Sequence, residues 1–198
     1  MEEWNRALFL MLDAGPGASS VTIATARLLA EGLVWIVPAG WVVAWLNGSL
    51  AVRRVLVAAA ISGVAGLLAN QVIGLAWYHP RPFEAGIGRT LMNHARDGSF
   101  PSDHLTLIWA VAFALAMRRS TRLAGWGLAA LGLPVAWARI YLGVHFPLDM
   151  LGAALVALGS AWLVRARGLR LAAAAARLLQ RPYRRVFSGL IEKGWMRP

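Results

Sequence analysis

The sequence predicts an all-α fold, a polytopic helical bundle integral to a membrane. Of its 198 residues, 59% are hydrophobic and only 15% are charged, against about 25% charged in a soluble domain. The mean hydropathy is +0.57. The apolar residues fall in long runs divided by short polar stretches, and a bilayer asks for about twenty apolar residues per crossing. With no internal repeat and no long linker, the whole chain, residues 1–198, reads as one membrane domain. Its core has about five to six helices, with an interfacial helix at each end.

The first element is amphipathic. Glu2 to Asp13 suits a short helix lying in the membrane interface. Its acidic start, Glu2-Glu3, is opposite to the basic start of a secretory signal. Five spans follow, at about Val21–Trp45, Val55–Trp77, His104–Met117, Leu123–Ala138 and Leu148–Val164. The third and fourth are short and borrow residues from their polar flanks. Gly63, Gly66, Gly152 and Gly159 place small residues where helices can approach closely in lipid. The last element is a basic tail, residues 165–198, whose alternating Leu, Ala and Arg suit the anionic inner leaflet.

The net charge of +11 raises a nucleic-acid reading. Nucleic-acid binders gather base on one soluble face, whereas here the arginines stand between apolar runs. Orientation explains them better. Arg53, Arg54, Arg118, Arg119, Arg122 and the nine bases from Arg165 onward are fourteen of the twenty basic residues, all in alternate connections or the tail. Seven of the nine acids lie in the opposite set: Glu2, Glu3, Asp13, Glu84, Asp97, Asp103 and Asp149. The positive-inside rule therefore sets the C-terminus in the cytoplasm. There is no cysteine, so thiolate metal sites and disulfides are excluded.

Three polar islands interrupt the apolar runs: His79-Pro80-Arg81-Pro82, Pro101-Ser102-Asp103-His104, and Arg139 with His145 and Asp149. The charge count puts all three on the non-cytoplasmic face, where helix ends can assemble one site. Ionisable residues at membrane depth are costly and mark function. Arg81 and Arg139 can grip phosphate oxygens. Ser102 and the N–H groups of Asp103 and His104 stand where a helix begins, which is an anion site. Asp149, four residues after His145 across Pro147, can fix the imidazole tautomer. His145 is then the nucleophile and His104 the general acid. A metal held by His79, His94, His104 and His145 is disfavoured by their spacing and by the neighbouring arginines.

At these residues the chain resembles the type 2 phosphatidic acid phosphatase (PAP2) superfamily. That family carries a lysine, six spacers and Arg-Pro, then Pro-Ser-Gly-His, then Ser-Arg, five spacers, His, three spacers and Asp. Arg81-Pro82, Pro101-Ser102-Asp103-His104 and Arg139, His145 and Asp149 match, over roughly residues 55–163. Pro80 to Phe83, Ser99 to His104, Tyr141 to Met150 and the closing Lys193-Gly194-Trp195 are similar to bacterial undecaprenyl-diphosphatases of the bacitracin-resistance type. The resemblance implies a PAP2-like core and hydrolysis of undecaprenyl diphosphate to the monophosphate lipid carrier used in cell-wall synthesis. It implies a phosphohistidine on His145, oriented by Asp149, and a proton from His104. Arg81, Ser102, Asp103 (through its backbone) and Arg139 would hold the phosphate, with no metal or other cofactor. The implied partners are a polyprenyl diphosphate and membrane lipids, in the bacterial inner membrane with the site on its outer face.

The chain departs from the motif at three places. Gly74 stands where the lysine belongs, and Arg89 or Arg96 of the outer loop are the candidate substitutes. Asp103 replaces glycine and is expected to favour the protonated imidazole of His104. Ala138 replaces serine. Other readings stay open at this stage. One is a phosphatase or phosphotransferase for phosphatidylglycerol phosphate, phosphatidate or lipid A; another is a non-catalytic lipid headgroup transporter.

Overall fold

The computed structural model describes residues 2–197. Nine α-helices are present among them: α1 (Glu2–Leu12), α2 (Ser20–Arg27), α3 (Ile36–Asn47), α4 (Leu50–Ala76), α5 (Asp103–Ala116), α6 (Arg122–Tyr141), α7 (Pro147–Leu163), α8 (Leu169–Val186) and α9 (Ser188–Glu192). Ser19 and Ser49 start α2 and α4 by accepting the Thr22 and Val52 N–H groups, side-chain caps that satisfy free first-turn donors. Four helical runs are long and apolar enough to cross a membrane: Ser20–Asn47, Leu50–Ala76, Arg119–Tyr141 and Pro147–Val186. The first is carried from α2 into α3 by a π turn at Leu28–Gly32 and a 3-10 turn at Leu33–Trp35.

The predicted spans shift in informative ways. The second begins earlier, at Leu50, so Arg53 lies inside α4 and is wholly buried rather than in a connection. The fourth runs on to Tyr141, which puts Arg139 in the last turn of α6. The third, α5, has only 14 residues, about 21 Å of helix, too short to cross about 30 Å of hydrocarbon by itself. It can be short because it is the central helix, packed against α4, α6 and α7. Leu105, Ile108, Trp109 and Ala110 of α5 share one core with Val135, Ala136 and Ile140 of α6 and Met150, Ala153 and Ala157 of α7.

Small residues allow those approaches. A Cβ on Gly125 would collide with the Ala116 and Ala112 backbone of α5. One on Gly66 would sit 2.8 Å from Thr106 Cγ2 and one on Gly63 2.9 Å from Leu107 Cδ1. Gly152 is filled against Phe100. Gly159 faces open space, so the expectation of a helix contact there is not met.

The terminal elements are docked. In α1, Asn5 and Phe9 are buried. Phe9 meets Phe146 edge-on at 5.2 Å, and Asn5 Oδ1 accepts the Leu148 N–H at 3.1 Å, at the start of α7. At the opposite end, α8 packs against α4 through Ala172, Ala176 and Tyr183. Arg53 donates to Trp45 O (3.0 Å) and Arg197 O (2.7 Å), with its guanidinium over the Tyr183 ring. The three polar islands thus gather at one end of the bundle and the arginine-rich connections at the other, as the charge pattern requires.

Candidate active site

Two turns build the centre. After α6 the chain reverses at Gly143, whose φ of +77° and lack of a Cβ let Arg89 O come against it. Pro147 then opens α7, leaving His145 just before the helix and Asp149 in its first turn. The Asp149 carboxylate reaches back to the Phe146 N–H at 2.8 Å, the acidic half of a capping box. The same Oδ2 lies 3.1 Å from His145 Nδ1. Both residues are almost fully buried.

The far nitrogen of the ring is met by an arginine. Arg81 Nη1 donates to His145 Nε2 at 3.0 Å and to Val144 O at 2.9 Å. A guanidinium only donates, so Nε2 holds the lone pair and Nδ1 the proton, given to Asp149. Burial first, then the charges of Arg139 and Arg81, push the His145 pKa well below its ordinary value. The imidazole is therefore neutral, oriented, and has its lone pair turned toward the arginine.

The other expected residues fall as follows. Arg139 is 1% exposed; its Nη1 donates to Ala30 O (3.4 Å) on the π turn of the first span, and its Nε has no partner. Ser102 is buried at the start of α5 with its hydroxyl unpartnered. Such groups in a buried site are what an anion would satisfy. His104 is half-buried on the first turn of α5, and Arg139, His94 and Arg81 act on it electrostatically.

Asp103 does not do what was expected of it. Its side chain accepts from Asn70 Nδ2 at 2.7 Å and makes no ion pair with His104 among the described residues. Its carboxylate is held toward α4, so the expected support for a protonated His104 is absent. His79 belongs to the packing: it lies 3.7 Å from Glu2 and edge-on to Phe146 at 5.7 Å. Neither outer-loop guanidinium bonds to another site residue among the described residues. Arg89 donates to Gly15 O at 2.8 Å, bracing the α1–α2 turn, and Arg96 is exposed. Beside Gly74 there is instead a cleft of about 250 Å³, lined in part by Asn70, Arg81, Asp97 and Asp103.

Four residues at this end of the bundle were not found from sequence. Ser99, wholly buried, donates its hydroxyl to Asp149 Oδ2 and lies 3.4 Å from His145 Nδ1. Asn70 joins Asp103 to Thr106. His94 Nε2 accepts from Arg139 Nη2 at 3.0 Å, with its ring 6.1 Å from that of His145; burial first, then Arg81, lower its pKa. Asp97 pairs with Arg81 at 2.8 Å. Ser99 carried one sequence signal, its place at the head of the Ser99–His104 run that carries the resemblance. The others sit where no local pattern singles them out. Among the described residues, no three His, Cys, Asp or Glu side chains converge as metal ligands.

Known proteins share this arrangement of sequence and fold. Residues 51–170 match the PAP2 superfamily model. Over 202 aligned residues the chain is 39% identical to the putative undecaprenyl-diphosphatase YbjG of Escherichia coli, covering 100% of this chain and 99% of that protein. It is 44% identical over 114 residues to the undecaprenyl-diphosphatase BcrC of Bacillus subtilis, 58% of each chain. Among solved structures, the PAP2-type phosphatidylglycerolphosphate phosphatase of Bacillus subtilis superposes with a TM-score of 0.57 at 20% identity, over 83% of this chain and 84% of that one. That likeness shows the fold, and the family model and the full-length relative show the lineage: the chain belongs to the PAP2 superfamily, as a multi-helix membrane protein.

Proposed function

We propose that the protein is a lipid diphosphatase that hydrolyses undecaprenyl diphosphate to undecaprenyl phosphate and inorganic phosphate. The observation that carries this reading is His145: neutral, buried, and fixed between Asp149 on Nδ1 and Arg81 on Nε2. A headgroup-binding transporter gains nothing from a carboxylate that orients an imidazole for attack. The names of the YbjG and BcrC relatives supply the substrate.

In this reading Nε2 attacks the terminal phosphorus as the bridging P–O bond breaks. His104 gives its proton to the departing lipid phosphate. Asp149 and Ser99 hold the ring and stabilise the charge it gains. Arg139, the Ser102 hydroxyl and the first N–H groups of α5 receive the phosphoryl oxygens, the backbone of Asp103 serving and its side chain not. Water then attacks the phosphohistidine, returning a proton to His104 and releasing phosphate. The outer face of a bacterial inner membrane fits the charge asymmetry, with the arginine-rich end in the cytoplasm.

The test offers purified protein in detergent, with EDTA, undecaprenyl diphosphate and phosphatidate in parallel, and measures released phosphate. Preference for the diphosphate, abolished in His145→Ala, is expected. Release from phosphatidate alone moves the substrate to another lipid phosphate, and activity that survives His145→Ala removes the nucleophile assignment. A cytoplasm-dependent reporter fused after the last residue is expected to be active.

A further inference from the structure

Arg81 is placed to grip phosphate, yet the protein itself engages every one of its guanidinium nitrogens. Nη1 serves Val144 O and His145 Nε2. Nη2 donates to Gly98 O at 3.2 Å and lies 2.8 Å from Asp97 Oδ1, and Nε donates to that same oxygen at 2.9 Å. One carboxylate oxygen thus sits in the fork where a phosphate oxygen would sit. The two partners differ sharply in environment. The Arg81 side chain is 5% exposed and that of Asp97 59%, so a solvent-facing acid plugs a buried cation from the open side.

The segment bearing that acid is anchored at its ends by buried Met92 and Ser99 and lightly held between them. The backbone N–H groups of residues 92–98 make no bond to a backbone carbonyl among the described residues. Its side-chain contacts with the site are Asp97 on Arg81 and His94 on Arg139, with a 3.6 Å approach between His94 and Asp97 themselves. Both arginines expected to hold phosphate are therefore touched by one short loop. An anion that takes Arg81 must displace Asp97, and the exchange is favourable only if it brings more charge than a carboxylate. A terminal phosphate carries about −1.5 to −2 charges at neutral pH. A phosphodiester headgroup carries a single charge, which gains nothing over Asp97 by simple electrostatics.

We propose that Asp97 is a specificity-determining residue: its carboxylate occupies Arg81 and yields it to a terminal phosphate, keeping out the singly charged phosphodiester headgroups of the surrounding bilayer. The proposal rests on the lipid-phosphatase reading for its substrate and on the Arg81–Asp97 geometry for its mechanism. The loop is then a strap that the correct ligand lifts.

Wild type, Asp97→Asn and Asp97→Glu are assayed on undecaprenyl diphosphate in micelles doped with phosphatidylglycerol. Wild type and Asp97→Glu are expected to ignore the phosphodiester, whereas Asp97→Asn shows a lower KM and competitive inhibition by it, each about fivefold. Asp97→Asn inhibited no more than wild type overturns the proposal, as does equal inhibition of both variants. A second readout needs no turnover. The chain has no cysteine, so Ala95→Cys takes a single spin label on the exposed loop; inorganic phosphate or orthovanadate is expected to loosen it in wild-type background. An unchanged spectrum at saturating anion overturns the strap. If wild type hydrolyses no lipid phosphate while the label is still released, the substrate reading fails and Asp97 stands.

Discussion

Arg81 and His145 meet at 3.0 Å, Nη1 to Nε2, although 64 positions separate them in the chain. Their contact fixes the imidazole tautomer from one side as Asp149 fixes it from the other. It also keeps the Nε2 lone pair engaged until the guanidinium finds another partner. The consequences can be measured.

In the proposed mechanism His145 forms the covalent bond to phosphorus, so His145→Ala is expected to lower turnover by at least about 10³-fold. Asp149→Asn keeps the shape but favours the wrong tautomer, with a loss of about 10²–10⁴-fold in kcat. Rapid-quench trapping of labelled phosphoprotein separates the two. Asp149→Asn retains a slow phosphohistidine and His145→Ala has none.

Ser99→Ala takes one of three donors from Asp149 Oδ2; the others are His145 Nδ1 and the Phe146 N–H. A hydrogen bond to a charged group contributes about 1.5–3 kcal/mol. A kcat lowered about tenfold or more, with KM little changed, is expected from steady-state kinetics. A change confined to KM would place Ser99 among the binding groups instead.

Asn70 keeps the Asp103 carboxylate off the phosphate cradle. Asn70→Leu is expected to raise KM about tenfold by releasing that charge beside the incoming anion. In the double variant with Asp103→Gly the KM returns. If the double variant stays as impaired as Asn70→Leu, the asparagine acts through packing alone.

The pH dependence follows from His145. Its pKa is lowered, by burial foremost and then by Arg139 and Arg81, so the attacking neutral form persists as pH falls through 6.5. The acid limb of phosphoenzyme formation is expected well below that value. Stability runs with it. Below 6.5 the unfolded chain takes up a proton that the folded chain refuses, so stability is full above 6.5 and declines as pH drops. His94, also lowered, adds to the same slope. Thermal melts in detergent from pH 7.5 to about 5 check the sign.

Arg53 tests the other end of the bundle. Arg53→Met loses the bonds to Trp45 O and Arg197 O and the stacking on Tyr183. A loss of about 2 kcal/mol in stability is expected, seen as a lower Tm, while kcat per folded molecule is unchanged because the reacting groups lie at the far end.

Much was legible in the chain itself. Hydropathy dictates helices here, because a backbone in lipid must satisfy its own hydrogen bonds, and one hydrophobic run is long enough to show this locally. The spacing of Arg139, His145 and Asp149 pointed to a histidine–carboxylate pair, because a helix start brings residues four apart to one side. The arginine asymmetry placed the three islands at one end. Span boundaries were less legible. Arg53 and Arg139 look like connection residues by charge, yet the helices run past them because carbonyl acceptors, Trp45 O and Ala30 O among them, receive their guanidinium groups.

What the tertiary structure alone decided is which ordinary polar residues face the centre. Asn70, His94 and Asp97 carry no spacing that a local rule recognises, and three of the four, His94, Asp97 and Ser99, lie in irregular backbone. Their roles come from long-range convergence: Asn70 turns the Asp103 carboxylate aside, Ser99 braces Asp149, and His94 and Asp97 rest on Arg139 and Arg81. The sequence by itself determined the membrane bundle, the common end of the islands and the inventory of phosphate chemistry, because apolar length, charge sign and short spacing are local quantities. Whether a given guanidinium is free or already occupied depends on partners tens of residues away. Only the folded chain decides that.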